Sequence, residues 1–320
     1  MRSGIFKILV TGGAGFIGSA FVRFLVRQNH RVIVVDNLTY AGDLKRLEEI
    51  KRKYKFYKAN ICDERQMDSI FRREKPQIVT HFAAETHVDR SIVDASPFIK
   101  TNIKGTQTLL DISRKYKIKK FIHISTDEVY GEIKKGKFSE DSPLNPSSPY
   151  AASKAAADLL IKSYIRTYDF PAIIIRPCNN YGPWQYPEKL IPLAILKIIK
   201  KEKVPVYAKG ENVREWLYVE DCANGIFEIF RKGKIGQIYN LGSGHEKKNI
   251  GVVKTILKIL NKPESMIQFV KDRPGHDIRY SLNSKKVFAE VKWQPEVNLE
   301  EGIKFTVNWC LKHKDWLLRK

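Results

Sequence analysis

The 320 residues predict a doubly wound, mostly parallel α/β sheet with a smaller lobe interleaved after it, and three observations carry that prediction. Short apolar runs alternate with helix-spaced stretches as far as about residue 178. A glycine cluster follows the first apolar run, and an acidic residue closes the second. Regular βα alternation gives a parallel sheet with helices on both faces. Ligands of such a sheet bind at the carboxyl ends of its strands, where the polar and glycine-rich stretches of this chain fall.

The first strand is predicted over 5–10, Ile5-Phe6-Lys7-Ile8-Leu9-Val10, and runs into Thr11-Gly12-Gly13-Ala14-Gly15-Phe16-Ile17-Gly18. Apolar spacing through Phe21, Phe24 and Leu25 makes the next segment a helix. A second strand, 31–35, ends in Asp36. In this βαβ unit Gly12, Gly15 and Gly18 follow G-x-x-G-x-x-G. The missing side chains permit a tight turn, close approach of backbone to a pyrophosphate, and close helix–strand packing. Asp36 stands where a carboxylate accepts from adenosine ribose hydroxyls. It would repel a 2′-phosphate, which favours NAD over NADP as cofactor.

The alternation continues with a strand over 56–59, a helix over 64–73, a strand over 77–82, a helix over 102–116 and a strand over 121–125. A loop rich in Lys, Ser and Pro precedes a helix over 149–168 and a strand over 172–176. Beyond that the regularity breaks. A loop over 184–188, an amphipathic helix over 190–201, strands over 204–207 and 214–219, a helix over 223–231, a strand over 237–241 and a helix over 251–260 follow. The expected division is an NAD-binding domain over 1–178, rejoined by about 219–241, and a substrate-binding lobe over 179–320.

Composition narrows the function classes. With 43% apolar residues the chain can bury a large core. No apolar run approaches the ~20 residues that span a bilayer, and the first one enters the glycine cluster without a cleavage-site pattern, so a cytoplasmic protein without membrane contact is expected. Cys62, Cys178, Cys222 and Cys310 form no C-x-x-C pair, which suggests neither disulfides nor a metal site, and they read as small buried hydrophobes. The net charge of +22 raises the question of nucleic acid. The lysines are scattered in short clusters with no basic stripe interleaved with aromatics, so no nucleic-acid partner is expected; the charge favours an anionic small substrate.

Two stretches carry chemistry. Ser125-Thr126-Asp127-Glu128-Val129-Tyr130-Gly131 follows the apolar run 120–124, which puts two adjacent carboxylates at a strand end. One reading is a cap for the next turn. The other is an acid and a base in two different environments. Tyr150 and Lys154 are four apart on one face of a helix start. An ammonium and a cationic nicotinamide near a phenol favour the phenolate, a usable base at neutral pH. Ser125 or Thr126 supplies a hydroxyl for the same substrate oxygen. His81, His123 and His245 read as structural, and His87 is open between pocket and support.

With these residues in place the chain resembles the extended short-chain dehydrogenase/reductases, Rossmann-like in fold, and more closely the dTDP-glucose 4,6-dehydratase family. The resemblance covers essentially the whole chain. It is carried by the glycine motif, Leu38-Thr39-Tyr40-Ala41-Gly42, the 83–91 segment Ala-Ala-Glu-Thr-His-Val-Asp-Arg-Ser, Ser125 through Gly131, and Tyr150 with Lys154. Asn179-Asn180-Tyr181-Gly182-Pro183, Pro187 through Pro192, Asn212 through Val219 and Arg273-Pro274-Gly275-His276-Asp277 complete it.

The resemblance implies NAD-mediated oxidation at sugar C4, elimination of water across C5/C6, and hydride return to C6, giving a 4-keto-6-deoxy sugar. Tyr150 would take the 4-hydroxyl proton, Glu128 the C5 proton, and Asp127 would protonate the leaving 6-hydroxyl; Lys154 supports Tyr150, and Thr126 bonds the 4-oxygen. Implied cofactor contacts, beside the three glycines, are Phe16, Ile17, Asp36, Asn37, Leu38, Thr39, Tyr40, Asn60, Ile61, Ala83, Ala84, Asn102, Tyr150, Lys154 and Asn180. Implied substrate contacts are Thr86, Thr126, Asn179, Lys189, Leu190, Pro205, Tyr207, Arg214, Asn249, Arg273 and His276. A homodimer is implied, built from the helices starting near Asn102 and Tyr150.

The chain departs from the family pattern at Asn60, where aspartate is usual, at Pro177-Cys178 in place of Cys-Ser, and in the compact lysine-rich loop 132–148. These departures leave open whether a dTDP-, UDP-, CDP- or GDP-hexose is the substrate. A 4-epimerase or decarboxylase of the same superfamily would share Tyr150, Lys154 and the glycine loop, but would not need acids at both 127 and 128. A non-catalytic NAD sensor would need no intact set of Thr126, Asp127, Glu128, Tyr150 and Lys154.

Overall fold

The structure, a computed structural model, describes residues 4–320. The strands β1 (Lys7–Thr11), β2 (Arg31–Asp36), β3 (Tyr54–Lys58), β4 (Ile78–His81), β5 (Lys120–Ile124) and β6 (Ala172–Pro177) are joined by helices. These are α1 (Phe16–Arg27), α2 (Glu64–Glu74), α3 (Val88–Val93), α4 (Ser96–Phe98), α5 (Thr106–Lys115) and α6 (Pro149–Tyr168). The second half holds β7 (Asn179–Tyr181), α7 (Leu190–Ile199), β8 (Val204–Tyr207), β9 (Val213–Tyr218), α8 (Val219–Lys232) and β10 (Ile238–Leu241). It closes with β11 (Glu246–Lys248), α9 (Asn249–Ile259), β12 (Ile267–Val270), α10 (Lys285–Val291), α11 (Leu299–Lys312) and α12 (Lys314–Leu318).

Seven strands form one parallel sheet in the order β10-β6-β5-β4-β1-β2-β3. Its outermost strand, β10, comes from the second half, as the apolar run 237–241 predicts. Period-two alternation decides the two faces. Ile8, Val10, Val32, Val34, Ile122, Ile124, Ile173 and Ile175 pack with Phe21 and Leu25 of α1 and Ile226 and Phe227 of α8. Leu9, Ile33, Val35, Val79, Phe121 and Ile174 pack on the other side with Phe71 of α2, Leu109 and Ile112 of α5 and Ile161 of α6. A second core joins Ile191, Ile195, Val253, Ile256, Ile303, Val307 and Trp316 around two small sheets, β11-β9-β7 and β12-β8.

Differences from the predicted elements have local causes. The first strand begins two residues late, since Ile5 is exposed and pairing with β2 starts at Lys7. The helix expected over 102–116 begins earlier, at Ser96, and runs as a π-helical stretch over Ile99–Gly105. There Asn102 leaves the helix surface to bond the Glu85 backbone at both N–H (2.9 Å) and C=O (3.0 Å). A π turn of this kind commonly marks a functional site. The helices α10 to α12 were not anticipated, although Ile303, Val307 and Cys310 behind an Asn298 cap are a legible helical stripe.

Among the described residues no helix is long and apolar enough to cross a membrane, and no cluster of three metal-ligating side chains occurs. All four cysteines are unpaired, and three are buried; Cys62 is only partly covered.

Candidate active site

At the carboxyl edge of the large sheet lies a cavity of about 370 Å³. Gly12 turns the chain out of β1 at φ +68°, and a Cβ there would lie 2.5 Å from Ala83 N at the end of β4. Gly15 precedes α1 with no side-chain cap and no acid in the first turn. The leading N–H groups of α1, beside Phe16 and Ile17 on the cavity wall, are therefore free and sit at the positive end of the helix. Asp36 accepts from Ala14 N (2.9 Å) and Leu38 N (2.8 Å) through different oxygens, so each keeps a lone pair for a ribose hydroxyl. The buried Oδ1 atoms of Asn179 and Asn180 and the Ser125 hydroxyl have no partner in the protein. A cradle without side chains, an uncapped helix end, a ribose-reading carboxylate and unpartnered polar atoms fit a dinucleotide.

The two carboxylates sit where β5 runs out, on a single 3-10 turn, Asp127–Tyr130, as the end of the apolar run predicts. Thr126 caps that turn, its hydroxyl accepting from Glu128 N (3.3 Å) and donating to Asp127 Oδ1 (3.2 Å). Thus the cap is the threonine, which frees both acids for other work. Asp127 is 2% exposed and its Oδ2 has no partner. Burial first, then the charges of Glu128 and Glu215, hold its pKa well above the usual carboxylate range and favour its protonated form. Glu128 is less enclosed. Burial raises its pKa, but the cations of Arg273, Arg214 and Lys189 work against that rise and favour its ionised form. Adjacent residues thus have environments suited to an acid and a base.

Tyr150 and Lys154 lie on the first two turns of α6, whose Ser148 cap accepts from Ala151 N (3.1 Å). The pKa of the phenol is driven strongly upward by burial and by the Glu128 charge, while the nearby Thr126 works in the other direction. Lys154 makes no hydrogen bond to the phenol. Its Nζ donates to Ile124 O (2.7 Å) and stands 3.5 Å from His123 Nε2. Burial pushes its pKa down to about 8, opposed by Asp158 one turn on. Asp158 is fully buried, accepts from Arg176 Nε (2.9 Å), and has its other oxygen 3.6 Å from His123. His81 and His123, read from the sequence as structural, are both buried, and His123 stands beside Lys154.

A second group lines the mouth from the smaller lobe. Arg273 (3.1 Å) and Tyr207 (2.9 Å) both donate to Asp89, Lys189 donates to Thr86 O (2.9 Å), and His276 pairs with Asp272 (2.6 Å). Arg214 donates to Asp277 O (2.9 Å) and lies over the Tyr280 ring. Asn249 starts α9 with a buried, unpartnered Oδ1, Leu190 starts α7, and Pro205 lies in β8.

Of the residues singled out in the sequence, the three glycines, Phe16, Ile17, Asp36, Asn37, Thr39, Asn60, Ile61, Ala83, Ala84, Thr86, Thr126, Asp127, Glu128, Tyr150, Lys154, Asn179, Asn180 and Lys189 share the wall of the one cavity. Leu38, Tyr40, Asn102, Leu190, Pro205, Tyr207, Arg214, Asn249, Arg273 and His276 stand outside it. Leu38 lends its N–H to Asp36, and Tyr40 donates to Glu188 (3.1 Å). His87, left open, caps α3 and faces Glu188 at 3.6 Å. Residues that the sequence reading missed on the wall are Arg46, Glu85, Gln185, Tyr186 and Glu188. Glu85 and Glu188 lay within the quoted 83–91 and 187–192 segments; the others carry no local signal.

The family described as GDP-mannose 4,6 dehydratase matches residues 9–306. A dTDP-glucose 4,6-dehydratase of Escherichia coli is 46% identical, over 98% of this chain and 96% of its own length. The crystal structure of DesIV, a dTDP-glucose 4,6-dehydratase of Streptomyces venezuelae with NAD and TYD bound, superposes with a TM-score of 0.95 at 43% identity, covering 97% of this chain and 98% of that one. A UDP-glucose 4-epimerase of Thermotoga maritima with UDP-glucose gives 0.90 at 34% identity, over 96% and 99%.

Proposed function

This chain belongs to the dTDP-glucose 4,6-dehydratase family of the extended short-chain dehydrogenase/reductases, and from that premise we propose the reaction and the part each residue plays in it. The protein is an NAD-dependent hydro-lyase that converts dTDP-glucose to dTDP-4-keto-6-deoxyglucose. The observation that carries this reading is the divided pair, Asp127 sealed with an unpartnered oxygen where burial favours its protonated form, beside Glu128 under the charge of three cations. A 4-epimerase moves no proton at C5 and expels no hydroxyl, so it has no use for that division.

Bound NAD supplies a hydride acceptor at C4 and afterwards the same hydride for C6. Tyr150 removes the proton of the 4-hydroxyl, with Thr126 bonded to the same oxygen and Lys154 supplying positive charge behind it. The 4-ketone so formed acidifies the C5 proton, which Glu128 takes. Asp127 gives its proton to the departing 6-hydroxyl, which leaves as water. A proton is returned to C5 as hydride reaches C6, which closes the cycle with no net oxidation. Lys189, Arg214 and Arg273 pair with the nucleotide diphosphate, exchanging protein acceptors for phosphate oxygens.

Residues 1–178 with about 219–241 form the cofactor side, and the remainder forms the sugar-nucleotide lobe. A homodimer is supported by apolar side chains left bare on neighbouring helices: Val93 of α3, Ile99 of the π stretch and Leu159 of α6. Unpaired cysteines suit the reducing cytoplasm, where we place the enzyme.

Turnover of dTDP-glucose by the purified protein in deuterium oxide, with no NAD added, tests the reaction. Deuterium at C5 of a 4-keto-6-deoxy product is expected. A product without it, or simple inversion at C4, would refute the elimination. UDP-, CDP- and GDP-sugars assayed beside it test the choice of nucleotide.

A further inference from the structure

One wall of the cofactor cavity is held by a charge for which the reaction has no use. Arg46 is 1% exposed, and a bare guanidinium so deeply buried would be strongly disfavoured. Backbone carbonyls from three separate segments satisfy it. Its Nη1 donates to Ala14 O (2.8 Å) in the glycine loop and to Ala41 O (2.6 Å) in the loop after β2, and its Nε donates to Trp184 O (3.1 Å) in the smaller lobe. The remaining nitrogen, Nη2, is buried without a partner.

The same loop is gripped from the end of the chain. The Arg46 guanidinium lies 5.5 Å from the ring of Trp316 in α12. The Trp316 indole donates to Asp43 Oδ2 (2.8 Å), and Lys320 Nζ stands 3.0 Å from that oxygen. Trp316 also packs edge-on against Trp184 at 5.2 Å, the residue whose carbonyl Arg46 holds. One buried cation and one indole thus fasten the loop over Asn37 to Gly42 between the glycine loop and the last helix.

We propose that Arg46, Asp43 and Trp316 are positioning residues that latch this loop over bound NAD and retain the cofactor from one turnover to the next. The reaction gives such a latch its purpose, because the hydride taken at C4 must be the one returned at C6. Opening the loop would part Ala41 from Arg46, or, if Arg46 moved with it, Arg46 from Ala14 and Trp184, and would break the Trp316–Asp43 bond, so escape of the cofactor is coupled to a costly rearrangement. The proposal rests on the NAD-dependent reading above.

The test compares parent, Arg46→Gln and Trp316→Phe for NAD content after gel filtration and for the rate of exchange with isotopically labelled NAD. Trp316→Phe keeps an aromatic ring but removes the donor to Asp43. Exchange at least tenfold faster in both variants is expected, with turnover that needs added NAD and recovers when NAD is saturating. Exchange unchanged in both variants would overturn the latch. So would loss of NAD that saturating NAD cannot repair, since Arg46 would then serve folding or chemistry. If thermal melting shows Arg46→Gln unfolded, Trp316→Phe alone decides. A parent protein that neither carries nor takes up NAD would sink the cofactor assignment itself.

Discussion

Burial and two neighbouring carboxylates disfavour the charged form of Asp127, and this has a cost in stability as well as a use in the proposed reaction. Its folded pKa lies above the unfolded value of 3.8, so the contribution of this group is fully present below that value and is lost as pH rises through the folded pKa. Asp127→Asn should therefore melt higher than the parent at pH 7.5, with the advantage gone at pH 3.5, while elimination slows by about 10²–10⁴-fold. Thermal melts at the two pH values and single-turnover rates check both parts. Glu128→Gln should leave the C4 oxidation intact and stop the next step, so that absorbance at 340 nm rises on mixing with substrate and does not decay; undiminished turnover would remove its assigned role. Lys154 loses its proton at about 8, and the positive charge behind the phenol fades above that pH. Asp158 opposes the loss, so Asp158→Asn should move the alkaline limb of the C4 oxidation to lower pH, read from single-turnover absorbance across a pH series.

The elements that carry Asp127, Glu128 and Lys154 are tied by a buried polar chain that no local pattern announces. Tyr130 closes the 3-10 turn of Asp127 and Glu128, accepts from Arg176 Nη1 (2.7 Å), and donates to Asn240 Oδ1 (2.7 Å) of β10. Arg176 of β6 in turn holds Asp158 of α6, one turn beyond Lys154. A single guanidinium therefore sets the turn against the helix. Arg176→Met should cost about 3–5 kcal/mol, the penalty for leaving a buried partner charge unpaired. Tyr130→Phe keeps the pair and should cost about 1–3 kcal/mol. Chemical denaturation measures both, and equal losses would show that the ion pair has no special weight. Sequence spacing did expose the glycine loop, Asp36 and the strand end bearing Thr126, because each depends on a handful of contiguous residues. Arg46, Arg176 and Asp158 read from the chain as ordinary helix or strand charges, since nothing nearby says that they are buried.

On the scale of the whole molecule the lobes are interleaved, with β10 of the second half completing the large sheet. The α1 helix is pinned to α8 by Arg23 and Arg27 on Glu220 (3.0 and 3.1 Å). The bare patch of Val93, Ile99 and Leu159 lies on the far side, on α3, the π stretch and α6. In the homodimer proposed above, replacing Leu159, 55% exposed, by Glu should turn a sedimenting dimer into a monomer by burying like charges in the shared patch. A parent that sediments as a monomer at every concentration would dismiss the dimer. The net charge of +22 has no single stripe to concentrate it, and it favours the approach of an anionic substrate to a mouth lined by Lys189, Arg214 and Arg273.

By itself the sequence determined the alternating sheet, the glycine cradle, the acidic reader of the ribose and the presence of two carboxylates beside a tyrosine and a lysine. These follow from periodicity and short-range steric demands, which adjacent residues settle among themselves. Only the tertiary structure gives the two carboxylates the different surroundings that suit the roles the resemblance implies for them. The charge that holds the Asp127 proton comes partly from Glu215 on β9, and those that favour ionised Glu128 come from Lys189, Arg214 and Arg273. A pKa is set by burial and by the charges that converge in space, and these arrive from segments far apart along the chain.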